Sequence, residues 1–259
     1  MKKTPFKLSI NAYDTTFTVQ IAETPKEVES CIALRTRYFQ SGATPDHALQ
    51  IVDEDEYDKY CCHLMVIDNE INEAVGTYRL MRWDVAEKNI GYYCETEFDL
   101  SNIKRQHLKL VEMGRLCTAS EYRHKNIVGM LWNGVYEYLD FYHLDYLSGS
   151  VSLPTDEPDL TSKIYAYAKY KNMLADPSFS VTPLPMCVDK TFDPNYKILD
   201  INKTRKELPK LFLAYLVLET KICGPSGHDN ILNLNDFYIL SNLKERHNNR
   251  RINRFKLKT

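Results

Sequence analysis

The sequence has few glycines, no long hydrophobic run and no surplus of either charge. Only 9 glycines and 11 prolines occur in 259 residues, which excludes collagen-like and linker-dominated chains. The longest apolar run, 211–218, covers eight residues, and a helix of that length is too short to cross a bilayer. The formal net charge of −2 argues against a wholly basic nucleic-acid-binding protein, although a local basic patch would still fit.

The motifs of several common chemistries are missing as well. The seven cysteines are odd in number and form no C-x-x-C pair, which indicates reduced thiols in a cytoplasmic protein. No apolar stretch of signal-peptide length follows the first residues. The chain lacks a Walker A loop, a G-x-S-x-G elbow, an H-E-x-x-H pair and an EF-hand spacing. The sequence therefore predicts no metal site and no bound cofactor.

Hydrophobic periodicity predicts an α/β (α+β) chain with one main sheet. A helix is expected to open at Thr24-Pro25, because Glu27 stands at capping-box spacing from Thr24. Further helices are predicted at 123–142 and 160–174. The hydrophobic periodicity does not decide whether 208–223 is a helix or a strand. Strands are predicted at 16–22, 63–68, 74–81, 108–118, 145–151 and 237–240.

Glu112 is the first candidate for catalysis. On the predicted strand it shares a face with Leu110 and Leu116, so a carboxylate interrupts an otherwise apolar face. Burial disfavours the ionised form, so we expect either a raised pKa or a partner. One interpretation is a general base that takes a proton from an ammonium nucleophile, and the other is a core ion pair with Arg79 or Arg115.

Other charged residues allow two interpretations each. Arg35 lies on the apolar stripe of the first helix, with Phe39 one turn later, and Arg79 shares a strand face with apolar neighbours. Each arginine is either a paired structural residue or a clamp for a substrate carboxylate. The acidic run 53–58, with three aspartates, is most simply a solvated loop.

Basic residues cluster before the second predicted helix. Backbone amides at a helix N-terminus bind anions, and Arg123, His124 and Lys125 add positive charge there. That charge opposes the helix dipole, which favours acidic residues at this end. The cluster is either an ordinary solvated first turn or a site for an acidic partner.

Six groups of residues follow one another along the chain: Arg35–Phe39, Tyr57-Asp58 with Cys62–Leu64, Val75–Leu80, Tyr92-Tyr93 with Glu95–Leu100, Glu112–Arg115 with Tyr122-Arg123, and Leu131-Trp132. In this order they resemble the GNAT-like N-acyltransferases of the ornithine-lipid branch. A later segment, 208–240, also resembles that family. The resemblance covers residues 16–240 and extends distantly to acyl-homoserine-lactone synthases and N-acyl amino acid synthases.

The resemblance implies one GNAT or autoinducer-synthase-like domain over residues 1–243, a splayed mixed β-sheet flanked by helices. It implies an acyl donor on acyl carrier protein and an amino-acid acceptor, L-ornithine, so that a (3-hydroxy)acyl group yields a lyso-ornithine-type lipid. Two alternatives remain open. One is an N-acyl amino acid or acyl-homoserine-lactone-like signal synthase, and the other is a non-catalytic binding scaffold.

The resemblance also implies roles for individual residues. Glu112 and Arg115 are expected to be catalytic. The loop glycines that cradle a CoA pyrophosphate in GNAT acetyltransferases are replaced here by Asn126 and Val128, which favours a carrier-bound phosphopantetheine. The substrate-binding residues implied are Arg35, Phe39, Asp58, Arg79 and Glu97. Those implied for the carrier and its phosphopantetheine are Leu116, Cys117, Thr118, Arg123, Lys125 and Asn126.

The last residues, 244–259, form a basic tail with seven basic residues and one acidic residue. Such a segment is either a solvated terminus or an attachment to an anionic membrane surface, through Arg250, Arg251, Arg254 and Lys256. We therefore expect a cytoplasmic protein, peripheral on the inner face of the membrane, with no nucleic-acid partner.

Overall fold

The computed structural model describes residues 6–39, 52–157, 159–209, 212, 213, 215, 220–230 and 232–244. They belong to two compact units: residues up to 90 together with 113–144, and residues 91–112 together with 145–244. The chain passes between the units inside one strand, between Glu112 and Met113. Among the described helices, none combines the length and the hydropathy that a bilayer-spanning segment needs.

The elements alternate between strands and helices, as the periodicity predicts. The helices are α1 (Pro25–Phe39), α2 (Trp83–Ala86), α3 (Ser101–Arg105), α4 (Ile127–Phe141), α5 (Leu160–Tyr170) and α6 (Ile201–Glu207). The strands are β1 (Lys7–Ala12), β2 (Thr15–Ile21), β3 (Cys62–Asp68), β4 (Glu73–Arg82), β5 (Phe98–Asp99), β6 (Leu110–Thr118), β7 (Tyr146–Pro154), β8 (Thr182–Pro183), β9 (Lys221–Ile222), β10 (Gly227–Asp229) and β11 (Leu234–Asn242).

In the first unit, β1 to β4 form an antiparallel meander in chain order. The two long helices, α1 and α4, cover opposite faces of this sheet. Alternate residues of β4 contact each helix, because successive residues of a strand point to opposite faces. Thr77 of β4 contacts Cys31 of α1, whereas the ring of the next residue, Tyr78, lies edge-on at 6.4 Å from Trp132 of α4. Gly76, on the α4 side, leaves no room for a Cβ beside the Ile127 methyl group.

The start of α1 confirms the predicted capping box. The Thr24 N–H donates to Glu27 Oε2 at 2.9 Å, and the Glu27 N–H donates to Thr24 Oγ1 at 3.3 Å. These bonds satisfy two of the amides that a helix start leaves without partners. Pro25 fits the first position because it has no N–H to satisfy.

The second unit is built on β7 and β11, which pair antiparallel along nine residues. β9 and β10 also pair with β11, and β7 pairs in parallel with β6 over only three residues, Leu110–Glu112. An aromatic cluster of Tyr165, Phe192 and Phe237 packs α5 against this sheet, with ring centroids 5.1 to 6.3 Å apart.

Several sequence-based boundaries were wrong. The helix predicted at 160–174 ends at Tyr170, and the strand predicted at 237–240 spans Leu234–Asn242. The strand predicted from 108 begins at Leu110, and inside it Arg115 has a left-handed φ of 56°, which interrupts the simple alternation of faces after Gly114. The helix predicted from 123 begins at Ile127, because residues 120–125 form a 3₁₀ turn and Asn126 is left-handed with a φ of 49°. The segment 208–223 lies partly outside the described residues, although Phe212, Leu213 and Tyr215 are helical.

Candidate active site

Arg35 is the centre of an ion-pair network in the first unit. Its side chain is 1% exposed, and its two terminal nitrogens each donate to one carboxylate oxygen of Asp58 at 2.9 Å. Its Nε lies 2.9 Å from Oδ2 of Asp53. This bidentate geometry is the strong form of an arginine–carboxylate pair, and it fixes α1 to the segment before β3.

Two further arginines extend the network. Arg79 on β4 donates to both oxygens of Asp55 at 2.6 and 2.7 Å and lies 3.3 Å from Asp58. Arg115 on β6 donates to Asp55 at 3.3 Å. The prediction of a solvated acidic loop at 53–58 was therefore wrong, because guanidinium groups from three separate elements converge on its aspartates.

Asp58 holds its charge although it is buried. Burial alone would raise its pKa, but the hydrogen bonds and positive charge of Arg35, with the charge of Arg79, lower the pKa to about 2. Arg35 and Arg79 thus have defined structural partners. Their predicted contact with a substrate carboxylate stays a prediction.

Acid should weaken the fold through Asp58. The folded pKa of about 2 lies below the value of about 3.9 for an unfolded aspartate, so the stabilisation is complete above pH 4 and is lost as the pH falls through 2. The contribution amounts to about 2 kcal/mol. The free energy of unfolding, measured with urea at several values between pH 5 and 2, should fall as the pH falls. In Asp58→Asn it should fall less steeply with pH. Other carboxyl groups whose pKa values are lowered, Glu27 and Asp68 among them, contribute to the remaining pH dependence.

A cleft of about 1230 Å³ borders this network. Val28 and Ile32 of α1 form an apolar part of its lining, and Asp58 and His63 form a polar part. Burial lowers the pKa of His63, so its ring is neutral at pH 7, and its Nε2 lies 3.2 Å from the Asp58 carbonyl oxygen. The cleft therefore offers an uncharged imidazole beside a buried carboxylate.

Glu112, in the second unit, is the last residue of β6 that pairs with β7, and it is 5% exposed. The Tyr93 N–H donates to its Oε1 at 2.8 Å, and the Cys94 N–H donates to its Oε2 at 3.1 Å. Both amides belong to a 3₁₀ turn that begins after Tyr92. Backbone N–H groups can only donate, so they stabilise the ionised carboxylate, whereas burial favours the neutral acid.

A second acidic group lies in the same unit. Carboxylate oxygens of Glu97, Asp229 and Asp236, all buried, lie within 4.8 Å of one another. That spacing suits a metal ion. Burial and the charge of Asp229 raise the pKa of Asp236 to about 6.

The residues predicted for the carrier lie in the first unit. Cys117 is buried, and burial and the charge of Asp53 raise the pKa of its thiol to about 11, so it stays protonated at neutral pH. Arg123 is exposed, and the Lys125 Nζ lies 4.9 Å from the centre of the Tyr122 ring. Phe39, predicted for the substrate, is 45% exposed at the end of α1.

The structure thus gathers Arg35, Asp58, Arg79 and Arg115 in one unit and places Glu97 and Glu112 in the other. Sequence reasoning missed the partners of these residues: Asp53 and Asp55 for the arginines, and the Asp229–Asp236 pair for Glu97. Serines at every second position of β7 were the signal available for that pair, because Ser152 donates to Asp236 at 2.6 Å.

Comparison with known proteins decides the family. Residues 34–133 match the acetyltransferase (GNAT) domain. The chain is 30% identical over 241 residues to an L-ornithine Nα-acyltransferase of Brucella abortus, covering 86% of this chain and 83% of that protein. The chain belongs to the L-ornithine Nα-acyltransferase family. It is therefore an acyltransferase, and the predicted GNAT fold class is confirmed.

Other relatives of this acyltransferase agree. It is 27% identical over 236 residues to an L-ornithine Nα-acyltransferase of Agrobacterium fabrum, covering 87% of this chain and 80% of that protein. The solved structure of FeeM, an N-acyl amino acid synthase from uncultured soil microbes, matches with a TM-score of 0.54 at 12% identity, covering 90% of this chain and 94% of FeeM. At that identity the match shows the fold alone.

Proposed function

We propose that this enzyme transfers a 3-hydroxy fatty acyl group from acyl carrier protein to the α-amine of L-ornithine. The product is a lyso-ornithine-type lipid. The names of the relatives support the acceptor, and the replacement of the loop glycines by Asn126 and Val128 supports a carrier-bound donor instead of CoA.

The observation that carries the proposal is the buried Glu112 carboxylate, fixed by two backbone amides. An α-ammonium must lose a proton before its nitrogen can attack a thioester. Glu112 takes that proton: the N–H bond breaks and an O–H bond forms on the carboxylate. The nitrogen attacks the carbonyl carbon of the thioester and the C–S bond breaks. The phosphopantetheine leaves as a thiol, with the second proton that the nitrogen loses. Cys117, a protonated thiol, is not needed as a nucleophile.

Arg123 and Lys125 are proposed to bind the acidic carrier protein. Reversing both charges, in Arg123→Glu with Lys125→Glu, should raise the KM for acyl carrier protein about tenfold at low salt and leave kcat nearly unchanged, since rim charges act mainly on encounter. Steady-state kinetics at two salt concentrations test this. Lys88→Glu, which reverses the charge of an exposed lysine in the same unit, is the control. An equal rise in KM for the control would contradict the assignment.

The basic tail, apart from Lys244, lies outside the described residues. We propose that Arg250, Arg251, Arg254 and Lys256 attach the protein to anionic lipid, each contributing about 1 kcal/mol near the surface. Sedimentation with anionic vesicles should fall when the chain is truncated after Leu243, and undiminished binding would refute the attachment. A peripheral position on the inner membrane face suits an enzyme with a lipid product.

Mass spectrometry of lipids from cells that express the chain tests the proposed function. A new lyso-ornithine lipid, absent with Glu112→Gln, is the expected result. A different N-acyl amino acid would support N-acyl transfer and would show that the acceptor is an amino acid other than ornithine. No new acylated amine from a folded, expressed protein would contradict the proposal.

A further inference from the structure

The cleft beside α1 is lined in part by a histidine whose second ring nitrogen has no assigned role. His63 belongs to the lining, and its side chain is 1% exposed. Its Nε2 lies 3.2 Å from the carbonyl oxygen of Asp58, and a carbonyl oxygen can only accept a hydrogen bond. Nε2 therefore carries the ring proton, and Nδ1 keeps its lone pair as an acceptor.

That acceptor meets no donor in the part of the chain that the structure describes. Nδ1 of His63 is buried, and no hydrogen-bond partner for it stands among the described residues. Nearly all buried polar atoms in folded proteins have a partner, because an unsatisfied one destabilises the fold. A ligand in the cleft with an N–H or O–H group would supply the missing donor.

The ring is held in place by regular secondary structure. His63 pairs with Arg79 in the ladder between β3 and β4, and its own carbonyl oxygen accepts from the Ala22 N–H at 2.8 Å. Burial lowers the pKa of the imidazole, so at pH 7 the ring is a neutral acceptor and not a cation. A ligand would therefore meet an acceptor at a fixed position.

The charges around the cleft favour a cationic donor. Arg37, one of its basic residues, lies 4.0 Å from Glu121, which is outside the lining, so part of its charge is already offset. The negative surplus attracts a cation and repels an anion. The exposed charged residues of the lining are three acidic and two basic ones: Glu23, Glu29, Glu54, Arg37 and Lys59.

The apolar part of the lining suits a short aliphatic chain. Val28 and Ile32 stand one turn apart on α1, Ala33 follows, and Val52 adds an apolar side chain that is 54% exposed. Methylene groups gain free energy by covering such a surface. A primary ammonium at the end of a methylene chain combines the apolar contact, the positive charge and the N–H donor.

We propose that this cleft binds the side-chain ammonium of a dibasic amino acid, with Nδ1 of His63 accepting one of its N–H bonds. The proposal rests on the proposed function, in which L-ornithine is the acceptor. It makes His63 the residue that distinguishes ornithine from an amino acid without a second amine. The bound ammonium keeps its protons, which leaves the α-amine as the nitrogen that is acylated.

Nitrogen NMR of the full chain, labelled with ¹⁵N in its histidines, tests this contact without turnover. The signals of His63 are identified by their loss in His63→Gln. Saturating L-ornithine should move the Nδ1 signal upfield, because the lone pair then accepts a hydrogen bond. L-Norleucine, which has a methyl group in place of the side-chain ammonium, should leave the signal where it is.

Two substitutions separate the roles of the ring nitrogens. Asparagine can place its side-chain oxygen near the position of Nδ1, whereas glutamine reaches the position of Nε2 and leaves Nδ1 without a substitute. His63→Gln should raise the Kd for ornithine about tenfold, the loss of one hydrogen bond to a charged group. His63→Asn should stay within about threefold of the wild type. Calorimetry measures the Kd, and circular dichroism checks that both variants fold.

The charge of the cleft is tested by a matched pair in one segment. Glu54→Gln should raise the Kd for ornithine about threefold at low salt, since exposed charges contribute modestly and are screened. Glu56→Gln removes an exposed charge two residues later, outside the lining, and should leave the Kd unchanged. An equal effect of the two substitutions would contradict a cationic ligand in this cleft.

Three results would overturn the proposal. They are an Nδ1 signal that ornithine does not move or that norleucine moves equally, wild-type affinity in a folded His63→Gln chain, and equal losses of affinity in His63→Gln and His63→Asn. Acylation of ornithine by a chain whose Nδ1 signal does not respond would keep the proposed function and refute this site. A chain that binds ornithine at Nδ1 and acylates no amino acid would refute the proposed function and leave the site standing.

Discussion

Replacing Glu112 by glutamine is expected to lower kcat by about 100-fold or more, the range that a positioned general base contributes. The substitution keeps the shape of the side chain and removes its ability to take a proton. One of the two N–H donors from Tyr93 and Cys94 then faces an amide NH₂, which costs about 1–3 kcal/mol, so the variant should fold with a lower Tm. Single-turnover acyl transfer together with thermal unfolding measures both effects.

Asp189→Asn is the matched control. Asp189 is another buried carboxylate of the second unit, and it accepts from the Thr191 N–H at 2.9 Å and from the Ser226 hydroxyl at 2.6 Å. Its variant should lose stability to a similar degree and keep its chemical rate. Near wild-type turnover in Glu112→Gln would remove Glu112 from the mechanism and leave it a structural anchor.

Replacing Arg35 by methionine should be the most destabilising change in the first unit. It leaves the charge of Asp58 buried without its bidentate partner, and breaking a buried pair in this way costs about 3–5 kcal/mol. Denaturant unfolding should show a large fall in midpoint with little change in slope.

Arg37→Met provides the comparison, two residues along the same helix. The Arg37 side chain is 70% exposed and lies 4.0 Å from Glu121, so its loss should change the stability by less than about 1 kcal/mol. A normal stability for Arg35→Met, joined to a large rise in the KM for the amino acid, would show instead that Arg35 is a substrate clamp.

Much of the fold follows from local patterns that the structure confirms. The strands β2, β3 and β4 and the capping box at Thr24 are decided within a few residues, so the sequence suffices to predict them. The sequence-based prediction placed the start of α4 too early, because the left-handed conformation that precedes the helix is confined to one residue, Asn126. An asparagine tolerates that conformation without requiring it, and only the surrounding packing selects it.

The candidate site was less accessible to sequence reasoning, for a physical reason. Arg35, Asp58 and Arg79 are separated by some 20 residues each, and their convergence depends on how α1 and β4 pack. The same holds for Glu112, whose amide donors at Tyr93 and Cys94 lie some 20 residues away along the chain. The hydrophobic periodicity therefore identified each charged residue as a candidate site residue, but it did not identify the residue that pairs with it.

The central claim is the transfer of an acyl group from a carrier thioester to an amino-acid α-amine. The most direct test incubates the purified chain with 3-hydroxyacyl carrier protein or the matching acyl-CoA and a panel of amino acids, with products read by mass spectrometry. The account predicts an Nα-acyl-ornithine from the carrier-bound donor, a much lower rate from acyl-CoA, and loss of product in Glu112→Gln. No acylated amino acid with either donor, from a folded wild-type chain, would contradict it.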